Sequence, residues 1–350
     1  MEKHYKKAIV VNATALDKSG ALSILRQFVE AIPIDNRNWL VFTAPEVQVH
    51  TSNPNVHLEP IKGVKSMIKR LLWDTFGLKK WLKQNYIEPI ASVSLQNTGF
   101  RVGKNVPTFI YYHQSIPFYQ YKWNPFKKKE RLFWFYKNIY PFLVKLFLKK
   151  DSMIFVQLEY IKEWFEKRFN HSKNLIGVYS PSVSLSNEIL QNKKEAKQNL
   201  QLIYPATSHF YKNHRVIEDS LKLTSVDVTV LFTIDSENHV NHDERIKYIG
   251  TQPYERINEL YKESDALLFP SFIETFGLPL LEAAMIGLPI IASDLPYARE
   301  VLAGYDGVSF VPHNSPSAWA KAIENIDKDK RYTPLDISSR PSWKELFENI

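Results

Sequence analysis

The chain of 350 residues contains no cysteine, which excludes a disulfide scaffold, thiolate metal sites and cysteine-based catalysis. It also lacks any apolar run of 18 residues, so no transmembrane helix is expected. The first twenty residues, MEKHYKKAIVVNATALDKSG, offer only AIVV as an apolar stretch, too short for the hydrophobic region of a secretory signal. Cytoplasm is therefore the expected compartment. No credible His or carboxylate cluster stands in for the missing thiolates. Asp235-Ser-Glu237 with nearby His239 and His242 reads as a solvated loop, and no metal is expected.

What is present is an ordinary globular composition, 44% hydrophobic, long enough for two or three domains with a core in each. Charge is unevenly spread. Residues 1–180 hold 28 Lys and Arg against 13 Asp and Glu, a net of +15; the remainder holds 17 against 24, a net of −7, which leaves the whole at +8. A basic first half joined to an acidic second half implies different partners for each.

The most informative stretch is 265–294, DALLFPSFIETFGLPLLEAAMIGLPIIASD. Residues 265–271 form an apolar run of strand length ending near Pro270, and 289–293 form another, both reading as strands buried on two faces. Between them Pro279 fits the first turn of a helix and Gly287 the position past its end. Strand, loop, helix and strand make a βαβ unit, hence a parallel sheet. A helix start at the carboxyl end of such a strand offers unpaired N–H groups and a partial positive charge, which suit phosphate. Gly277 lets a ligand approach the backbone, while Glu274 in the loop and Glu282, placed in the first helical turn, can accept from hydroxyls. Phosphate and hydroxyl recognition together describe a sugar nucleotide.

Glu274-x7-Glu282, written ETFGLPLLE, with LLFPS before it and EAAMIGLPIIASD after, resembles the donor-site motif of retaining GT-B glycosyltransferases of family 4. The resemblance implies an α/β fold of two Rossmann-like domains facing across a cleft. It implies that Glu274 and the backbone of Phe276, Gly277 and Leu278 hold the donor sugar, and that Glu282 binds ribose hydroxyls. By the same resemblance Gly20, after the first strand (8–13), is the loop glycine near donor and acceptor. His113, after the strand PTFIYY, lies near the reacting sugar, and Gly250, ending KYIG, contacts the base. The family supplies an arginine and, five residues later, a lysine to the diphosphate. Lys212 in TSHFYKNHR matches the lysine, but the arginine position falls at Ala206 or Thr207, leaving His209, His214 and Arg215 as the nearby alternatives.

The expected domains are an acceptor-side domain at 1–178, a nucleotide-sugar domain at 179–330 and a segment at 331–350 that by family analogy crosses back to the first. The strand at 152–157 reads as the last of the first domain, 174–185 as a connection, and a charged helix-like segment then precedes the strand at 201–206. Two stretches interleave Lys and Arg with aromatic residues. In 66–86 a membrane surface and a core helix with a solvated basic edge remain equal alternatives. In 124–150, NPFKKKERLFWFYKNIYPFLVKLFLKK, Glu130 is the one acid, and an anionic membrane surface or lipid-linked acceptor is favoured over a solvated basic face. No nucleic-acid motif accompanies it, so nucleic acid is not expected.

The expected activity is transfer of a hexosyl unit, with retention, from a nucleotide diphosphate sugar to a glycan acceptor, lipid-linked, in surface polysaccharide biosynthesis. No cofactor is expected beyond the donor itself. The expected place is the inner face of the cell membrane, peripherally bound. A nucleotide-sugar epimerase of the same fold and a non-catalytic nucleotide-sugar-binding module are the alternatives.

Overall fold

The computed structural model describes residues 6–17, 19–183, 199–236 and 243–350. The chain divides into two units, Met1–Ser182 with Arg340–Ile350, and Val183–Ser339. The expected charged segment before the second unit's first strand, and Glu237, His239 and His242, lie outside the described residues.

In the first unit, β1 (Lys6–Asn12) runs at the centre of a sheet, buried from Ala8 onward, which is why its sequence is a continuous apolar run. Helix α1 (Ser19–Ala31) returns over it, burying Leu25, Phe28 and Val29. Then come β2 (Trp39–Thr43), β3 (Val56–Pro60), α2 (Met67–Leu72), a π-helical turn (Trp73–Gly77), α3 (Leu78–Gln84) and β4 (Ile87–Ser94). They are followed by β5 (Thr108–Tyr111), α4 (Arg131–Asn138), α5 (Tyr140–Phe147), β6 (Met153–Val156), α6 (Glu159–Phe169) and β7 (Ile176–Val178). All pairings are parallel, in the order β3-β2-β1-β4-β5-β6-β7.

β6 is thus not the last strand of this unit. β7 adds beyond it, with Ile154 opposite Ile176 and Tyr179 N–H bonded to Val156 O at 2.8 Å. A three-residue strand containing glycine has too little periodicity to announce itself.

In the second unit, β8 (Leu200–Tyr204), α7 (His214–Leu221), β9 (Val228–Phe232), β10 (Ile246–Tyr248) and α8 (Tyr254–Glu263) precede β11 (Ala266–Phe269). Helix α9 (Leu278–Met285), β12 (Ile290–Ser293), α10 (Pro296–Val301), β13 (Val308–Val311) and α11 (Pro316–Glu324) complete it. The order β10-β9-β8-β11-β12-β13 repeats that of the first six strands of the other sheet. Residues 331–339 stay with this unit because Tyr332 N–H bonds to Gly287 O at 2.9 Å, Leu335 N–H to Ala284 O at 2.9 Å, and Arg331 to Ser264 O at 2.8 Å.

The chain re-enters the first unit at Arg340, later than the expected residue 331. Helix α12 (Trp343–Phe347), started by a capping box between Ser342 and Glu345, docks on α1. Its Trp343 and Phe347 rings lie 5.8 and 5.0 Å from Phe28, and Trp343 Nε1 donates to Gln27 Oε1 at 3.1 Å. Burying both aromatic side chains contributes several kcal/mol, of order 2–3 each. The last residues are therefore part of the first core.

Candidate functional site

In the second sheet, connections run one way from β8 and the other way from β11, so the loops leaving these neighbouring carboxyl ends diverge. Open α/β sheets bind ligands at such a reversal. The two loops are 205–213 and 270–277, and they are zipped together. Phe272 N–H donates to Tyr211 O at 2.9 Å, and Ser271 Oγ to the same carbonyl at 3.3 Å. Asn213, in the left-handed region at φ 61°, donates its amide to Pro270 O at 3.2 Å and His313 O at 2.7 Å. Tyr204 Oη donates to Lys212 O at 2.6 Å from beneath.

This bracing brings Lys212 and Glu274 into direct contact, Nζ to Oε1 2.5 Å, with side chains only 16% and 13% exposed. The ammonium also lies 5.6 Å from the Tyr211 ring and 5.8 Å from Phe269. An ammonium carries three donors, so the Glu274 bond orients it and does not saturate it. Ala206, at the position where an arginine was sought, donates its N–H to Thr233 Oγ1 at 3.0 Å. Of the three nearby alternatives, His214 is buried between the Tyr204 and Phe232 rings, and Arg215 is exposed beside Asp219. His209 is stacked on Tyr211 at 5.3 Å; its pKa is lowered by burial and by the Lys212 charge. His209 is the one that stands beside the lysine.

Gly277 is the N-cap of α9 at φ 89°, a conformation L side chains rarely adopt, and Pro279 follows in the first turn. The cap contributes no side-chain hydrogen bond, Pro279 has no N–H and Leu280 N–H is bonded to Gly277 O at 2.9 Å, so the backbone donors this helix start presents are those of Gly277 and Leu278. Phe276 is in the core and Leu278 half-buried, so what this segment can offer a ligand is chiefly backbone. Gly287 follows the helix at φ 70°, and a Cβ there would meet Tyr332 O at 2.2 Å.

Glu282 sits one turn deeper than expected. It is the fifth residue of α9, 7% exposed, and accepts from Tyr261 Oη at 2.8 Å. Burial pushes its carboxyl up to about 7, with the Tyr261 hydrogen bond pulling the other way. Tyr254 is pushed up to about 12 by burial and by the Glu282 charge. Tyr254, Asn258 and Tyr261 share one face of α8, at helical spacing. Gly250 has φ 69°, a conformation L side chains rarely adopt, and donates N–H to Ile234 O at 3.2 Å; a Cβ there would lie 3.0 Å from Asp235 Oδ1.

In the first unit, His113 is held at both ends. Its N–H donates to Asn97 Oδ1 at 2.5 Å, and Nε2 lies 2.9 Å from Leu95 O, which places the ring proton on Nε2. Burial lowers its pKa, against the Leu95 carbonyl, and so favours the neutral ring. The turn that holds it adjoins a buried polar cluster. Asn12 Nδ2 donates to Asp74 Oδ1 at 2.7 Å, Gln96 Nε2 reaches both Asp74 oxygens at 3.2 and 3.1 Å, and Thr14 Oγ1 bonds Asn12 Oδ1 at 3.0 Å. Burial pushes Asp74 up to about 7 against these donors and the Arg70 charge. Gly20, in the first turn of α1, is exposed with open space where a Cβ would stand, so nothing there requires glycine.

Of the residues singled out in the sequence, Lys212 and Glu274 come into contact and Gly277 and Glu282 lie at and within α9; Asn213, Tyr261, Asp74 and Asn97, which hold or adjoin such residues, were not singled out. Asp74 was hidden in an amphipathic basic segment, where a lone acid reads as a surface charge. It lies in the π-helical turn and is the buried residue of that turn, with Asn12 and Gln96 bonded to its carboxyl.

Both aromatic-basic stretches carry exposed apolar side chains: Met67, Ile68, Leu72 and Phe76 in one, Phe126 (95% exposed), Leu132, Phe142 and Leu146 in the other. Lys137 is spent on the Tyr119 and Tyr121 carbonyls, and Lys127 pairs with Glu130 at 3.3 Å. Among the described residues no helix is long and apolar enough to cross a membrane, and no three His, Cys, Asp or Glu side chains are placed to share a metal ion.

Residues 233–340 match the family model described as Glycosyl transferases group 1. The chain is 27% identical over 201 residues, 55% of its length, to the O-antigen chain mannosyltransferase RfbU of Salmonella typhimurium, and spans 56% of that protein, about half its length. Two solved structures share the fold. WaaG, a glycosyltransferase involved in lipopolysaccharide biosynthesis, aligns with TM-score 0.64 at 12% identity over 97% of this chain and 93% of its own. Anabaena HepE, solved with UDP and glucose, aligns at 0.63 and 15% identity over 99% and 95%. The two-unit α/β fold is thus the GT-B fold, and the resemblance to group 1 glycosyltransferases holds at the residues that suggested it.

Proposed function

We propose, from a second unit that matches the group 1 glycosyltransferases, that this chain transfers a hexosyl unit from a nucleotide diphosphate sugar to a hydroxyl of a glycan acceptor. The observation that carries the reading is the Lys212–Glu274 pair, assembled from two loops at the sheet's reversal beside the side-chain-free start of α9. The ammonium and the helix N–H groups form a fixed positive lining where a departing diphosphate gathers charge. Such prearranged lining stabilises the transition state without reorganisation. Glu274 orients the ammonium and reaches the donor sugar's hydroxyls; Glu282, deeper in α9, accepts from ribose. With Lys212 in the cation's place, the reaction needs no divalent metal.

The likeness to an O-antigen mannosyltransferase supports a place in surface polysaccharide synthesis, with a lipid-linked acceptor. The exposed aromatic and basic side chains of 66–86 and 124–150 support peripheral attachment to an anionic membrane face. Retention follows from a same-face route, in which the leaving phosphate takes the acceptor proton.

The test is a panel of UDP-, GDP- and dTDP-sugars with glycan acceptors, run with and without EDTA, and NMR of the product linkage. An α-linked product from an α-linked donor, unchanged by EDTA, is expected. A β-linked product, or activity restored only by Mn²⁺ or Mg²⁺, overturns the mechanism. Conversion of donor to a sugar epimer without acceptor overturns the reaction class.

A further inference from the structure

Glu282 is a flexible side chain asked to present a carboxylate in a fixed direction. What fixes it is on the neighbouring helix. Tyr261 is fully buried, and its hydroxyl donates to Glu282 Oε2 at 2.8 Å. With Oε2 engaged, Oε1 remains to accept from a ligand, and the rotamer freedom that ordering a glutamate would otherwise lose on binding is already gone. Among the described residues no cation is paired with Glu282. The strands flanking α9, β11 and β12, carry no ionisable side chain. On α10 Arg299 is turned to Asp294, on the 331–339 strap Arg331 reaches Ser264 O, and on α8 Glu263 is paired with Arg256. Besides Tyr261, the α8 side chain that feels the Glu282 charge is Tyr254, a phenol whose Asn258 partner stands one turn on; Glu255, Glu259 and Lys262 complete the titratable groups of that helix.

We propose that Tyr261 is a positioning residue for nucleoside recognition: its hydroxyl presents the Glu282 carboxylate to the ribose 2′- and 3′-hydroxyls and so sets the preference for ribonucleotides over 2′-deoxyribonucleotides. The inference rests on the ribose role given to Glu282 above. It has two consequences. The preference depends on an ionised Glu282, because a carboxylate accepts from two hydroxyls whereas the acid must donate one of its positions. And the Tyr261 hydroxyl, by bonding the charged form, keeps that ionised state available at lower pH than burial alone allows.

The experiment is calorimetric titration of the full chain with UDP and GDP, followed by the tighter of the two against its 2′-deoxy analogue, from pH 6 to 8.5. Wild type is expected to prefer the ribonucleotide roughly tenfold at pH 8, as one charge-assisted hydrogen bond warrants, and to lose that preference as pH falls through about 7. Tyr261→Phe removes one oxygen and keeps the packing. It should cut the preference to about twofold and move its midpoint to higher pH. Glu282→Asp, which draws the carboxyl one methylene back from an intact Tyr261, should lose the preference likewise, and serves if Tyr261→Phe does not fold. A Tyr261→Phe protein that binds both nucleotides more weakly with the preference and its midpoint unchanged overturns the inference and leaves Glu282 in its role. A preference that survives Glu282→Ala overturns that role and the inference together.

Discussion

At the carboxyl ends of β8 and β11 the side chains that meet are Lys212 and Glu274, opposite charges still partly open to solvent. At the carboxyl ends of β1 and β4, the equivalent place in a sheet of the same strand order, Asn12, Thr14 and Gln96 close over Asp74. Both sheets leave a crevice where their connections reverse, and both put polar groups there. The second unit fills it with charges that have donors to spare for a ligand. The first fills it with amides and one carboxyl whose hydrogen bonds point at each other. Topology supplies the place; the side chains decide whether it binds or braces.

The comparison is broken most directly at Lys212. Lys212→Ala removes a charge from the proposed reaction centre and should lower kcat about 10²–10³-fold, with circular dichroism unchanged. A loss under fivefold would reduce the ion pair to a loop brace like its counterpart in the first unit.

A second difference is net charge, basic in the first half and acidic in the second. Changing Lys127, Lys128 and Lys129 to Glu should weaken sedimentation with anionic vesicles roughly a hundredfold, at about 1 kcal/mol per lost charge. High salt should release wild type as well. Equal sedimentation of both proteins would make the 124–150 surface a solvated face.

Within the second unit, Glu282→Ala should raise the donor KM about tenfold while lowering kcat less, because ribose is held equally in ground and transition states. Steady-state kinetics with varied donor decides it; a kcat loss with unchanged KM would place Glu282 at the chemistry instead.

The smallest effect sharpens the account of Asp74. Its carboxyl is pushed up to about 7 in the folded chain, above the ordinary 3.8. A raised pKa means the folded state holds the proton longer than the unfolded one, so the contribution is complete below about pH 4 and fades as pH rises through 7. Relative to Asp74→Asn, wild type should lose roughly 1 kcal/mol of stability between pH 6 and 8, read by urea unfolding. A flat difference would mean that the amides hold Asp74 ionised throughout.

The sequence alone was enough for the βαβ unit at 265–294, because both-face burial writes itself as apolar runs and the left-handed turns at Gly277 and Gly287 exclude side chains. It was enough, too, for Lys212 and Glu274 as separate candidates, and for the charge asymmetry. Their meeting was not legible: they are 62 positions apart, and their contact depends on Asn213 and Tyr211 tying one loop to the other. Glu282 was legible as a residue but not as a buried acid, since its neighbour Tyr261 lies on another helix. Asp74 and Trp343 show the same limit from opposite sides. One looked like a surface charge and is buried in a π-helical turn; the other lies at the far end of the chain and completes the first core beside Phe28. Local sequence determined what each segment could form, because periodicity, turn chemistry and capping act within a few residues. Only tertiary structure decided which polar groups were dried and which were opposed, because burial and pairing depend on chain that arrives from elsewhere.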